Sequence, residues 1–332
     1  MVCVILLSVA VCGCGYRSAH ALKRPVSQIG TQLANQLVNQ VHRFSDGPAR
    51  AALAVEITSL SRGQKHFYIR GLNMEAVAVR ETFPRGASDA AIMTALNEHF
   101  FGPGGFAASS GLSGPEGVSV AAVLDSRRGT CVGLAIVYLA LSQRVGLDGH
   151  GVATPDHLFT RAHLGDAVRN IELTESGREI DDDTYRRRHK IDEASIATGV
   201  FMRELSNAEV IAHLLSNQAV ALGKQCRLDD ALVRYDAALT LAPQLVAAWY
   251  NRGLDLMNAG RQQEAWADFS RAIELYPSDA QAYNNRGLAK LRLGDREGAR
   301  ADFTRALELQ PGMKEAEENL KRLLASTSSS EP

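Results

Sequence analysis

The chain reads as an α+β domain followed by an all-α solenoid, and three observations predict that division. One set of residues recurs every 34 positions through the last third of the sequence. Ahead of it, the apolar run Cys131–Leu141 is long enough for a buried helix, and short strand-like segments follow it. The 332 residues are enough for two cores, and 45% hydrophobic with 22% charged residues is an ordinary globular balance. A net charge of -1 supplies no global field to attract nucleic acid.

Val2 to Val11 is an apolar run about half the length of a bilayer span, which fits the core of a secretory signal. Val11-Cys12-Gly13-Cys14 resembles a bacterial lipobox, with Cys14 in the acylated place. It departs from that pattern at Cys12, and no basic residue precedes the apolar run. The expectation is a signal peptide over 1–14 and an exported lipoprotein of the bacterial cell envelope, membrane-attached if Cys14 is acylated. Residues 15–84 are expected to be a helical extension of the core. There Ile29, Leu33, Leu37 and Val41 fall at spacing four, as on a helix laid against that core. Segments 51–60 and 67–81 show no clean period. Ser88 is placed to cap a helix running to Phe101, and Gly102-Pro103-Gly104-Gly105 then turns the chain. That glycine cluster lacks the Gly-Lys-Ser/Thr of a phosphate loop.

The α+β domain, 85–200, carries the candidate chemistry. Cys131 opens the apolar helix, after the polar stretch Asp125-Ser126-Arg127-Arg128-Gly129-Thr130. A helix N-terminus carries partial positive charge, which favours a thiolate, and Arg127 and Arg128 are expected to add to it. Strands are expected over 149–154, 157–162 and 168–173. If the last two form a hairpin around Leu164-Gly165 or His163–Asp166, Glu172 lies directly opposite His157 and can orient its imidazole. Asn170 shares that face and can play the same part. Cys131 would attack an acyl carbon, His157 would hold and later return the proton, and Glu172 or Asn170 would fix the ring. No cofactor or metal is expected. Cys12-Gly13-Cys14 has no downstream partner pair, and neither His150 nor His163 has a second donor at ligand spacing. Asp181–Asp183 beside Arg186–Arg188 reads as solvated surface.

The 34-residue recurrence pairs Trp249, Gly253, Ala265, Phe269, Ala272 and Pro277 with Tyr283, Gly287, Ala299, Phe303, Ala306 and Pro311. A weaker copy has Leu215, Ala219, Ala231, Tyr235, Ala238 and Pro243. This resembles the tetratricopeptide repeat, here at 212–245, 246–279 and 280–313, with a capping helix from Lys314 and the whole array over 205–325. Residues 326–332 read as a disordered tail. Cys226 stands where later repeats have Gly260 and Gly294, and reads as a semi-buried small residue. Asn217, Asn251 and Asn285 recur one period apart and are candidates to bond a peptide along the groove of the array.

The stretches Leu96–Phe101, Val123–Cys131, Pro155–Arg161 and Asn170–Thr174 together resemble the successive motifs of the bacterial transglutaminase-like superfamily, in the branch whose core precedes such repeats. The resemblance implies a papain/transglutaminase-like core and a Cys-His-Asp triad that falls on Cys131, His157 and Glu172, with Glu replacing Asp. The superfamily includes peptidases, amidases, acyl transferases and inactive binding domains. The expectation here is a cysteine-dependent acyl-transfer enzyme acting on a peptide or protein amide, with a protein partner held by the repeats. The alternative is a non-catalytic envelope scaffold that keeps the fold and binds proteins through its repeats.

Overall fold

A computed structural model describes residues 28–44, 47–56, 60–109 and 117–328. The expected signal and Cys14 lie outside the described residues. The chain forms two compact units, divided after Leu245. No helix among the described residues is long and apolar enough to cross a membrane.

The first unit begins with α1 (Gln28–Arg43), α2 (Pro48–Ala54), α3 (Arg62–Arg80) and α4 (Asp89–Phe101). In α1 the buried hydrophobic residues are Ala34, Val38 and Val41, whereas Ile29 and Leu33 are exposed, so the expected inward stripe is rotated. The helix α3 was not legible from periodicity because Phe67, Met74 and Val77 point outward. Its start was legible by another route. Ser61 and Gln64 form a reciprocal capping box, each side chain bonding the other's backbone N–H. Then come β1 (Ala107–Ala108), α5 (Val120–Ser126), β2 (Arg128–Gly129) and α6 (Cys131–Val145).

The chain continues through β3 (Asp148–Ala153), β4 (Leu158–Leu164), β5 (Ala167–Glu172), β6 (Arg178–Glu179), α7 (Asp182–Arg188), α8 (Glu193–Ala197) and β7 (Glu204–Leu205). Its five-stranded sheet is antiparallel throughout, in the order β6-β5-β4-β3-β7. A two-stranded parallel ladder joins β1 to β2 just ahead of Cys131. The helix α6 packs on β3 and β4 and against α2, α3, α4 and α5. Every residue from Cys131 to Ser142 is buried, which is why the helix is apolar all round.

The β4–β5 register corrects the expected hairpin. Leu164 pairs with Ala167, so the loop is Gly165-Asp166. A turn on Leu164-Gly165 would put leucine where a two-residue hairpin needs positive φ. In the observed turn Gly165 takes that place, with φ 65°. The charge run at 181–188 serves local ends. Asp181 caps α7 through Thr184, and Asp182 pairs with Arg161 at 2.6 Å.

The first repeat, α9 (Asn207–Lys224) and α10 (Leu228–Leu241), belongs to this unit, where α9 packs on α6 and α2, and α10 on α1. Cys226 between them is exposed, not semi-buried. Its φ of 60° matches the left-handed turn that glycine fills later at Gly260 and Gly294.

The second unit holds α11 (Val246–Asn258), α12 (Gln262–Leu275), α13 (Ala280–Arg292), α14 (Arg296–Leu309) and α15 (Lys314–Ser328). The last helix takes in the start of the expected tail; residues 329–332 lie outside the description. Gly253 and Gly287 let the rings of Phe269 and Phe303 lie against the helix backbone, and a Cβ there would come within 2.9 and 2.7 Å of them. Arg252 and Arg286 each make two bonds to a buried aspartate, Asp268 and Asp302, one helix on.

The repeated asparagines are corrected by burial. Asn217, Asn251 and Asn285 are 3%, 4% and 1% exposed, which closes them to a ligand. Asn285 instead donates to Tyr250 Oη at 2.8 Å, tying α13 to α11. Asn319, one period on, donates to Asn284 Oδ1 at 2.9 Å. At Asn285 and Asn319 the amide ties one helix to another, since a buried amide is costly unless bonded.

Candidate active site

The N-terminus of α6 is set by what precedes it. The helix α5 ends at Arg127 in left-handed geometry, φ 54°, and the chain returns through β2. Gly129 passes so close to Val123 and Leu134 that a Cβ there would meet both at 3.0–3.3 Å. Thr130 is the N-cap, yet its side chain makes no capping bond and its buried hydroxyl has no partner. Cys131 follows as the first helical residue and is fully buried. The expected help from two arginines is reduced. The Arg127 guanidinium pairs with Glu75, which also holds His99 at 2.5 Å, and Arg128 donates to Ala108 O.

His157 sits at the end of the β3–β4 connection. Its carbonyl accepts from Thr154 N at 2.9 Å, which closes a tight turn and starts β4 one residue on. His157 Nε2 lies 2.7 Å from Glu172 Oε2, and both side chains are under a tenth exposed. Continuing the observed register puts Glu172 beside Phe159 rather than His157, so the pair is diagonal. Diagonal neighbours have Cβ atoms roughly 7 Å apart, a gap that the longer glutamate side chain suits. Asn170 takes no part. It accepts from Arg161 Nε and donates to Ile180 O and Asp182 Oδ1, so the third-member alternative is corrected in favour of Glu172.

Residues that the sequence did not single out complete the carboxylate's surroundings. Glu172 Oε1 accepts from Thr174 N at 2.9 Å and Thr174 Oγ1 at 2.5 Å, and Oε2 accepts from Tyr185 Oη at 2.9 Å. Burial alone would raise the Glu172 pKa. The hydrogen bond and charge of His157, with the two Thr174 bonds, outweigh it and hold the carboxyl down at about 2. Burial, with Glu172 beside it, pushes the Tyr185 phenol far above its usual range, so it stays a neutral donor. Tyr185 is stacked on Phe159 with centroids 3.8 Å apart. The His157 ring lies parallel to that of His189 at 5.6 Å, and His189 Nδ1 is paired with Asp156. Only the Thr174 contact had a local signal, a hydroxyl two residues beyond a carboxylate. Tyr185 and His189 arrive from α7 and its end by tertiary folding.

The glutamate holds Nε2 of His157 as a donor. Nδ1, which Glu172 does not hold, is then the nitrogen suited to take a proton. Residues 67–216 match the family model of the transglutaminase-like superfamily, and 216–280 and 250–314 match a tetratricopeptide-repeat model. The chain carries a transglutaminase-like domain followed by tetratricopeptide repeats. Two curated relatives, each a UPF0162 protein of Xylella fastidiosa, strains Temecula1 and 9a5c, are 26% and 27% identical over 179 and 181 residues. The match takes in 52% of this chain and 64% of each relative, so this chain spans less than two thirds of their length. Among solved structures, an Arabidopsis OM64 TPR domain is 27% identical, with a TM-score of 0.34 over 35% of this chain and 96% of that one. The first TPR of Spaghetti (RPAP3), bound to an HSP90 peptide, is 27% identical, with a TM-score of 0.35 over 35% and 93%.

Proposed function

We propose that this chain is a cysteine-dependent acyl-transfer enzyme acting on a peptide or protein amide. The buried His157–Glu172 pair, 2.7 Å apart at the head of a strand packed on the Cys131 helix, carries the reading. A carboxylate fixed by four hydrogen bonds suits the holding of an imidazole in one tautomer and the stabilising of its protonated form. In the first step the Cys131 sulfur bonds to the amide carbon, the C–N bond breaks, and the imidazolium of His157 gives its proton to the leaving amine. Water or an amine then attacks the thioester, His157 takes the proton, and the C–S bond breaks. The backbone N–H of Cys131, at the start of the helix, would contribute to an oxyanion hole.

Tetratricopeptide repeats support binding of a protein partner, and the array would recruit the substrate protein or a companion of it. Export and acylation of Cys14 belong to the same reading, on the strength of the apolar Val2–Val11 run. Labelling by radioactive palmitate that persists in Cys14→Ser would remove the anchor from it.

The rival reading, a non-catalytic scaffold, draws on one observation: Cys131 is 0% exposed. Alkylation of Cys131 against pH, in wild type and His157→Ala, separates the two. A rate plateau reached well below the ordinary thiol pKa of about 8.5, and lost in His157→Ala, supports the thiolate–imidazolium pair. Alkylation that rises only near pH 8.5, or fails in the folded protein, makes the scaffold the better reading.

A further inference from the structure

The sheet gathers a second set of donors far from His157. Asp148 and His150 are two residues apart on β3 and share a face, and Asp148 pairs across the ladder with His163 of β4. On the other side of β3, Val152 pairs with Glu204 of β7, which brings Glu204 to the same face. Gly149 and Gly151 point the opposite way, toward Leu139 of α6, so the four side chains stand on the face turned from that helix. The expectation that neither histidine has a second donor thus fails, because the donors come from three strands.

We propose that Asp148, His150, His163 and Glu204 form a binding site for a divalent transition-metal ion, with Zn2+ as the best fit. His163 Nε2 lies 2.7 Å from Glu204 Oε1, and His150 Nε2 lies 3.0 Å from Asp148 Oδ1 and 3.9 Å from Glu204 Oε2. One ligand atom from each of Asp148, His150 and His163 falls within 4.8 Å of the others. Four donors around tetrahedral zinc at its usual bond lengths stand about 3.3 Å apart, inside the spread observed here. Side-chain shifts on the order of 1 Å close the sphere. Two imidazoles with two carboxylates suit zinc, whereas calcium and magnesium prefer oxygen alone. Both histidines and Glu204 are about a third exposed, so an ion can enter and the displaced protons can leave. At roughly 3.3 Å of rise per residue, His163 is about 20 Å along β4 from His157. The ion would therefore not act on the acyl group. It would pin the two-residue β7 to β3 and β4, immediately before α9 begins.

Equilibrium dialysis of the full chain against Zn2+ tests this in wild type, His150→Gln/His163→Gln and Cys131→Ser. One ion per chain is expected in wild type and in Cys131→Ser, with affinity at least about 100-fold weaker in the histidine double variant. Zinc should raise the Tm of wild type and of Cys131→Ser and leave that of the histidine double variant unchanged. Binding that survives the double histidine substitution, or disappears in Cys131→Ser, overturns the site. Should the double variant fail to fold, Co2+ added to wild type decides. Tetrahedral d–d absorption without a thiolate charge-transfer band supports the site, and octahedral spectra or a thiolate band refute it.

Discussion

Glu172→Gln keeps the side chain's volume and removes its charge, which isolates what the carboxylate does. Glu172 accepts two bonds on each oxygen, from His157 and Tyr185 on one and from Thr174 twice on the other. An amide has one accepting oxygen. If that oxygen faces His157, the new NH2 meets the Thr174 backbone N–H, which cannot accept. If it faces Thr174, the imidazole must present a bare Nε2 and carry its proton on Nδ1, the nitrogen the mechanism needs empty. The fall of the carboxyl from an ordinary 4.5 to about 2 corresponds to about 3 kcal/mol of stability at neutral pH. Because the folded value is depressed, that stability is present above pH 4.5 and lost as pH falls toward 2. The loss proceeds at up to about 1.4 kcal/mol per pH unit. Urea unfolding of both proteins should show a gap of about 3 kcal/mol at pH 7 that narrows between pH 4.5 and pH 3. A gap under about 0.5 kcal/mol at pH 7, or one that stays constant down to pH 3, would refute the assignment of Glu172 as the ionised partner.

Two further substitutions test the repeat unit, with a third in α3 as a comparison. In Gly287→Ala the gain in helix propensity, about 1 kcal/mol, is set against a Cβ 2.7 Å from the ring of fully buried Phe303, and overpacking of about 1–3 kcal/mol should win. Gly71→Ala, on an exposed helix position with nothing within 4 Å, should keep the propensity gain; thermal unfolding that ranks the two the other way would contradict the packing. Burial raises the Asp279 carboxyl to about 6, against its bonds to Ala282 and Gln281, and one of its oxygens has no partner. The folded value lies above the unfolded one, so the stability present below pH 3.8 is lost as pH rises through about 6. Asp279→Asn keeps the capping acceptor and should raise stability at pH 7.5 by up to about 3 kcal/mol, flattening the profile between pH 4 and 6. A variant less stable than wild type at pH 7.5 would show that the charge is favourable there.

The repeat array was legible because each position recurs in the same local setting, so close packing at Gly253 and Gly287 leaves a mark 34 residues on. The Cys131 helix was legible because a helix buried on all sides must be apolar on all sides. The shared face of His157 and Glu172 followed from the period of two, which survives a shift of loop by one residue at each end. Some features were beyond sequence reach. The turn glycine decided the register, and the register made His157 and Glu172 diagonal rather than opposite. Whether Asn170 or Glu172 serves His157 depended on Arg161 and Asp182 claiming the amide. The role of Asn285 depended on Tyr250 from the neighbouring repeat. Tyr185, His189 and the Asp148–His150–His163–Glu204 group were assembled from elements distant along the chain. Periodicity and caps are set by near neighbours and can be read along the chain. Hydrogen-bond partners and donor clusters are set by which strands and helices meet, and only the tertiary fold decides that.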